Sequence, residues 1–184
     1  MSKAVSALGG ARFAGTVEVR EVGPQGMITL RGDLSSAKVK SAVKSAVGVA
    51  VPAQRRVTIE AGRGAGWMSP DELLLWLPYD EVAATLATLG KALAGQHALA
   101  VDVSDARAVF EVEGARSAEV LAKLCPVDFA TLQPGELRRS RTAQVAAALW
   151  QSAPDTYTVV AFRSVGRYVF DLLRASAQKG GEVA

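Results

Sequence analysis

One cysteine and one histidine are all that the 184 residues contain. A lone thiol, Cys125, excludes an internal disulfide framework and any zinc site built from several thiolates. A lone imidazole, His97, excludes HExxH and other paired-histidine metal motifs. Aromatic residues make up only 6% of the chain while hydrophobic residues make up 49%, so a light core of Ala, Val and Leu is expected. No apolar run reaches the roughly 18 to 20 residues that span a bilayer. Residues 1–15 lack the sustained apolar stretch and cleavage site of a signal peptide. A cytoplasmic protein with no membrane partner is therefore expected. Charge of one sign is also scarce: 21 Lys+Arg against 18 Asp+Glu leave only +3. That excess does not make the concentrated basic face that nucleic acid requires, and no nucleic-acid partner is expected.

What is present is alternation and periodicity. Residues 1–24 mix small and charged residues up to Gly23-Pro24, and read as an extended N-terminal arm, either frayed or laid on a partner. Met27 to Leu30 form a strand, and Ser35 or Ser36 can cap a helix carrying Val39, Val43, Ala46 and Val47. Gly48 stops that helix. Val57, Ile59 and Ala61 alternate as a half-buried strand, and Leu73 to Leu77 read as a central strand covered on both faces. Gly62-Arg63-Gly64-Ala65-Gly66-Trp67 between them reads as a hairpin connection. Asp80 can cap a helix with Val82, Leu86, Leu89 and Leu93 on one stripe, and Leu99, Val101 and Val103 alternate again. From Asp105 the order restarts. A strand at Ala108 to Val112 precedes a helix from Gly114 to Leu124, which Pro126 ends. Strands follow at Thr142 to Trp150 and at Tyr157 to Phe162. Ser164 can cap a last helix on Val165, Tyr168, Val169, Leu172 and Leu173. The expected class is α+β: two packed β-α-β-β-α units with antiparallel sheets and helices on one face. Their bounds are 25–104 and 105–177, after the arm at 1–24 and before a polar tail at 178–184.

The side chains that carry chemistry are few. His97 sits in a loop, Gly95-Gln96-His97-Ala98, without a nucleophile beside it in sequence. Cys125 lies at a helix end on the apolar stripe and reads as a buried, inert thiol. The glycines at 62–66 do not lead from a strand into a helix, as a phosphate cradle requires. Asp71-Glu72, Asp80-Glu81, Asp102 and Asp105 sit at element ends, where carboxylates cap turns and face helix dipoles. No catalytic, cofactor-binding or metal-binding residue is assigned in this chain. The sharpest charge feature is Arg138-Arg139-Ser140-Arg141, with Arg163, Arg167 and Arg174 beyond it. These side chains read either as a solvated edge or as a docking surface, since guanidinium suits carboxylates and phosphates at interfaces.

Certain ordered segments carry a resemblance. Gly66-Trp67-Met68-Ser69-Pro70-Asp71-Glu72-Leu73-Leu74-Leu75 and Asp102-Val103-Ser104-Asp105-Ala106-Arg107-Ala108-Val109-Phe110 come first. Gly114-Ala115-Arg116, Leu124-Cys125-Pro126, Arg138-Arg139-Ser140-Arg141-Thr142, Leu149-Trp150-Gln151 and Phe162-Arg163-Ser164-Val165 follow. Over about residues 60–175 these resemble the gamma subunits of heterotetrameric sarcosine oxidases. The resemblance implies an alpha-beta-gamma-delta enzyme that converts sarcosine to glycine, forms hydrogen peroxide and passes a one-carbon unit to tetrahydrofolate. It implies FAD, FMN, NAD, tetrahydrofolate and zinc in the partner subunits and none in this chain. It further implies alpha, beta and delta as partners, chiefly alpha. Scaffolding of alpha through the N-terminal arm and the arginines Arg138, Arg139, Arg141, Arg163 and Arg167 is then expected from their guanidinium chemistry. The chain also resembles the folate-binding domains of aminomethyltransferases (glycine cleavage T-protein), which keeps an independent folate-binding module open as the alternative. No acidic residue matches the catalytic position of those transferases.

Overall fold

A computed structural model describes residues 4–181. Eleven strands and four α-helices follow one another among the described residues. They are β1 (Arg12–Ala14), β2 (Glu18–Val22), β3 (Gly26–Arg31), α1 (Ala37–Val47), β4 (Val57–Glu60), β5 (Arg63–Ser69), β6 (Glu72–Leu77), α2 (Val82–Ala92), β7 (Leu99–Asp102), β8 (Arg107–Glu113), α3 (Ser117–Ala122), β9 (Leu137–Thr142), β10 (Val145–Ala153), β11 (Thr156–Phe162) and α4 (Gly166–Ser176). The chain divides into two compact units. One is the continuous segment Gln25–Ser104, and the other is made from the segments on either side of it.

In the Gln25–Ser104 unit the strands form one antiparallel sheet in the order β4-β5-β6-β3-β7. Side chains of a strand alternate between faces, so Ile28 and Leu30 of β3 point the same way as Leu73 and Leu75 of β6. All four are fully buried in one cluster with Val39, Val43 and Val47 of α1 and Leu89 of α2. The spacing of four between Val39, Val43 and Val47 makes the stripe that α1 lays on the sheet. Gly48 ends the helix with φ near 90°, its N–H reaching the carbonyl of Lys44 at 3.1 Å. That left-handed conformation is where glycine carries no steric cost.

The other unit has a six-stranded antiparallel sheet ordered β1-β2-β8-β11-β10-β9. Phe110 of β8, Leu149 of β10 and Val159 of β11 form one cross-strand row and are fully buried with Leu121 of α3 and with Val169 and Leu173 of α4. Phe170 adds a tilted ring contact to Phe110, 6.2 Å between centroids. Such rows supply the main stabilisation, about 1.5–3 kcal/mol for each large side chain taken out of water. Helices on one face of an antiparallel sheet, twice over, are the α+β class expected from the element order.

Four local expectations are corrected. Residues 12–22 are not an extended arm; they are β1 and β2, with Val17 and Val19 inside the core. Pairing with β8 brings this about, Val19 opposite Val112 and Glu21 opposite Phe110. The stretch from Arg63 to Trp67 is part of β5, paired with β4 and β6, so the hairpin connections shrink to Ala61-Gly62 and Pro70-Asp71. The arginine run is itself a strand, and the one strand expected from Thr142 is two, separated by a turn at Ala143-Gln144. Finally, α3 is a six-residue helix whose first turn starts at Ser117. The polar tail is described only to Gly181, whose carbonyl accepts a hydrogen bond from Lys123 at 2.6 Å.

Candidate functional site

Strand β9 is an edge of its sheet and carries three of the arginines singled out in the sequence. Their register separates them. Arg138 pairs with Leu149 and therefore lies on the helix-covered face, where it forms an ion pair with Glu136. Arg139 pairs with Ala148 and Arg141 with Ala146, so these two share the opposite face and are exposed. Arg141 also closes its own turn, Nη2 donating to the carbonyl of Gln144 at 3.3 Å. Alternation along a strand thus breaks a continuous run in sequence into a pair and a single.

Arg163 and Arg167 lie elsewhere. Arg163, in the 3₁₀ turn before α4, donates from Nη2 to the carbonyls of Val5 and Ser6 at 3.0 and 3.2 Å. Arg167 stands on the outer surface of α4, with Asp171 one turn on at 4.0 Å. The structure brings Arg139 and Arg141 together, fastens Arg138 and Arg163 to the chain's own groups, and leaves Arg167 exposed.

A residue that the sequence did not single out holds the other side of the N-terminal segment. Glu21 is only 6% exposed and sits in the core row beside Phe110. Its carboxylate accepts from Ser6 Oγ, Leu8 N–H and Gly10 N–H, each at 2.8 Å. Buried carboxylates require such saturation, because an unpartnered oxygen loses its hydration without replacement. The signal in sequence was slight: Glu21 occupies the inward phase set by Val19.

The remaining candidates are committed to structural contacts. Cys125 is buried, and burial pushes its thiol up from the ordinary value despite the Thr142 hydroxyl at 3.6 Å. A thiol kept protonated is a poor nucleophile. Gly64 lies against the indole of Trp76, its partner across β5 and β6, and a Cβ at Gly64 would fall inside that ring. The glycine run is thus a strand flattened under a tryptophan, which does not fit a dinucleotide cradle at a helix N-terminus. Glu81 pairs with Arg63. Asp102 Oδ1 accepts from Ser104 N–H and Oγ at 2.9 and 2.5 Å, capping the turn after β7. Among the described residues no three His, Cys, Asp or Glu side chains gather as a metal would need.

One groove of about 590 Å³ lies within the Gln25–Ser104 unit, where the ends of β3 and β7 meet the β5–β6 turn. Arg31, Asp33, Asp71 and His97 line it, with Leu99 at its rim. Hydrogen bonds from the Ser35 hydroxyl and N–H hold the Asp33 carboxyl below its ordinary value. The Ser69 hydroxyl and then the Arg31 guanidinium, 3.0 Å from Oδ2, do the same for Asp71. His97 is exposed there, with no nucleophile-and-base arrangement around it among the described residues.

The model of the sarcosine oxidase gamma subunit family matches residues 31–178. The sarcosine oxidase subunit gamma of Corynebacterium sp. (strain U-96) is 30% identical over 166 residues, covering 82% of this chain and 79% of that one. The corresponding subunit of an Arthrobacter species is 30% identical over 151 residues, covering 80% and 73%. Among solved structures, a chain of heterotetrameric sarcosine oxidase from Corynebacterium sp. U-96, in complex with pyrrole 2-carboxylate, superposes with a TM-score of 0.83 at 26% identity, covering 94% of this chain and 90% of that one. Aminomethyltransferase T of the Bartonella henselae glycine cleavage system shares the fold, with a TM-score of 0.60 at 14% identity, over 83% of this chain and 44% of that one.

Proposed function

Because the chain belongs to the sarcosine oxidase gamma subunit family, we propose that it is the non-catalytic, scaffolding subunit of a heterotetrameric enzyme. That enzyme oxidatively demethylates sarcosine to glycine, forms hydrogen peroxide and delivers a one-carbon unit to tetrahydrofolate. Its alpha, beta and delta subunits are the partners, alpha chiefly. They hold FAD, FMN, NAD, tetrahydrofolate and zinc, and the flavin supplies the redox chemistry. This chain's residues contribute surface and rigidity.

The observation that carries this reading is a family match that runs through both compact units, from residue 31 to 178. It is supported by where the reactive side chains stand. The thiol is buried and protonated, and the carboxylates Glu21, Asp71, Glu81 and Asp102 each serve a structural contact. Arg139 and Arg141, exposed together on an edge strand, present guanidinium groups to partner carboxylates, and Arg167 offers a third. Arg138 and Arg163 act earlier, by holding their own chain in place.

Expression of the companion subunits with and without this chain is the test. Without it, the assembly is expected to lose stability and most of its sarcosine turnover. A stable alpha-beta-delta complex with full turnover overturns the reading. Tetrahydrofolate titrated into the isolated chain separates the alternative: saturable micromolar binding would make it a folate module, and no binding is expected.

A further inference from the structure

Among the described residues each sheet leaves two edge strands open, and the four edges are not alike. An open edge presents unpaired N–H and C=O groups, and folded chains ordinarily guard it with charge, brevity or cover. On β1 the guard is Arg12, in an ion pair with Glu18, and on β9 it is the arginine run. On β4 the exposed Ile59 stands beside Glu60, itself paired with Lys44. Strand β7 differs. Its exposed side chains, apart from Asp102 at its end, are aliphatic: Leu99 at 58% and Val101 at 42%. Both point to the face away from α1 and α2, because Ala100 between them packs on the helix side.

The backbone of β7 is available too. Val103 N–H donates to the Met27 carbonyl at 2.9 Å, which continues the register Thr29 with Val101 and Arg31 with Leu99. In an antiparallel pair, alternate residues turn their polar groups to the neighbour and away from it. Val101 and Leu99 therefore bond toward β3, while Ala100 and Asp102 turn their N–H and C=O groups to the open side.

Charge describes what would lie there. The groove at the Leu99 end holds two carboxylates, Asp33 and Asp71, against one guanidinium, Arg31. Both carboxylates are ionised at neutral pH, as exposed carboxylates are, and hydrogen bonds hold their values below the ordinary one. Asp102 adds a third at the opposite end of the strand.

We propose that β7 is a docking edge for an extended segment of a companion subunit, which adds a strand there. That segment carries aliphatic side chains at alternating positions over Leu99 and Val101, and a Lys or Arg over the Asp33–Asp71 groove. Strand addition of this kind draws affinity from main-chain hydrogen bonds and selectivity from alternate side chains. The proposal rests on this chain acting as a scaffolding subunit and names a surface through which it does so.

The test is co-expression of the full chain with its companion subunits and purification through a tag on one of them. Leu99→Lys with Val101→Lys is expected to cut the amount of this chain retained by about tenfold or more. Its melting temperature alone should not change, since both side chains are exposed. At position 99 Lys is expected to weaken retention more than Glu does, because the partner's end is basic. Amide exchange at Ala100 and Asp102 is expected to slow on assembly. Stoichiometric retention of the double variant, or unchanged exchange at those two amides, overturns strand addition at β7. Equal losses for Leu99→Lys and Leu99→Glu overturn the basic partner. Failure of the unsubstituted chain to co-purify instead overturns the scaffolding role, so the two outcomes remain distinguishable. Concentration-dependent dimers of the isolated chain that Val101→Lys abolishes would assign the edge to a second copy and also overturn the proposal.

Discussion

Glu21 shows how much a single side chain can carry when it is buried in a strand. Its carboxylate satisfies two backbone N–H groups and a hydroxyl from Ser6 to Gly10, while Arg163 holds the carbonyls of Val5 and Ser6. Removing the acceptor deprives these part-buried donors of their shared partner and empties a buried site beside Phe110. Glu21→Ala is expected to cost about 2–4 kcal/mol in denaturant unfolding, more than the loss of an exposed charge could explain. A loss within the noise of a surface substitution would show that the segment is not held this way. Asp33 and Asp71 act at the surface and on pH. Their folded-state values lie below the ordinary 3.8, so their stabilisation is complete above about pH 5 and fades as pH falls through and below that value. Asp33→Asn and Asp71→Asn should flatten the acid limb of a stability-against-pH curve and lower its neutral plateau, where the ionised carboxylates make their full contribution. The burial of the thiol, by contrast, was legible in the sequence: Cys125 stands among apolar residues, and although it lies past the end of α3 it is buried in the core, which raises its value.

At the scale of elements, the strands and helices with a clean period were legible and those whose residues serve close packing were not. Strand β6 was evident because Leu73, Leu74 and Leu75 are all buried. Strand β5 was hidden because its glycines look like a loop, and the reason for them lies on another strand. The Trp76 ring occupies the space above Gly64. Gly64→Ala should therefore destabilise by about 1–3 kcal/mol, the usual cost of overpacking. The cost should shrink by half or more in a Trp76→Ala background, because the clash is then gone. Additive losses in that double-mutant cycle would exclude the contact as the cause. The arginine strand β9 was hidden for a different reason: charge on an edge strand guards it but erases the apolar alternation by which strands are recognised. Its register then decides that Arg139 and Arg141 act together and Arg138 apart.

Over the whole molecule, the chain leaves one unit at Pro24, completes another, and returns at Asp105. Strand β2 therefore pairs with β8 across a long separation in sequence, Val19 opposite Val112. A chain beginning at Gln25 would lose β1, β2 and the buried Val17 and Val19, and would leave β8 as an open apolar edge. Such a chain is expected to aggregate, with faster amide exchange in β8. A synthetic peptide of residues 4–24 should restore protection. Full solubility and unchanged exchange without the peptide would mean that β2 is dispensable.

The poverty of reactive residues, the α+β class, the helix stripes and the likeness to a gamma subunit follow from the sequence alone. Composition and period are local properties, and local properties survive without a fold. Three things were decided only by tertiary structure: the return of the N-terminal residues to β8, the burial of Glu21 beneath its own donors, and the separation of Arg138 from Arg139 and Arg141. The physical reason is common to all three. Antiparallel pairing joins residues far apart in the chain and assigns each to a face, and no local pattern of hydrophobicity or charge encodes which distant strand will be the neighbour.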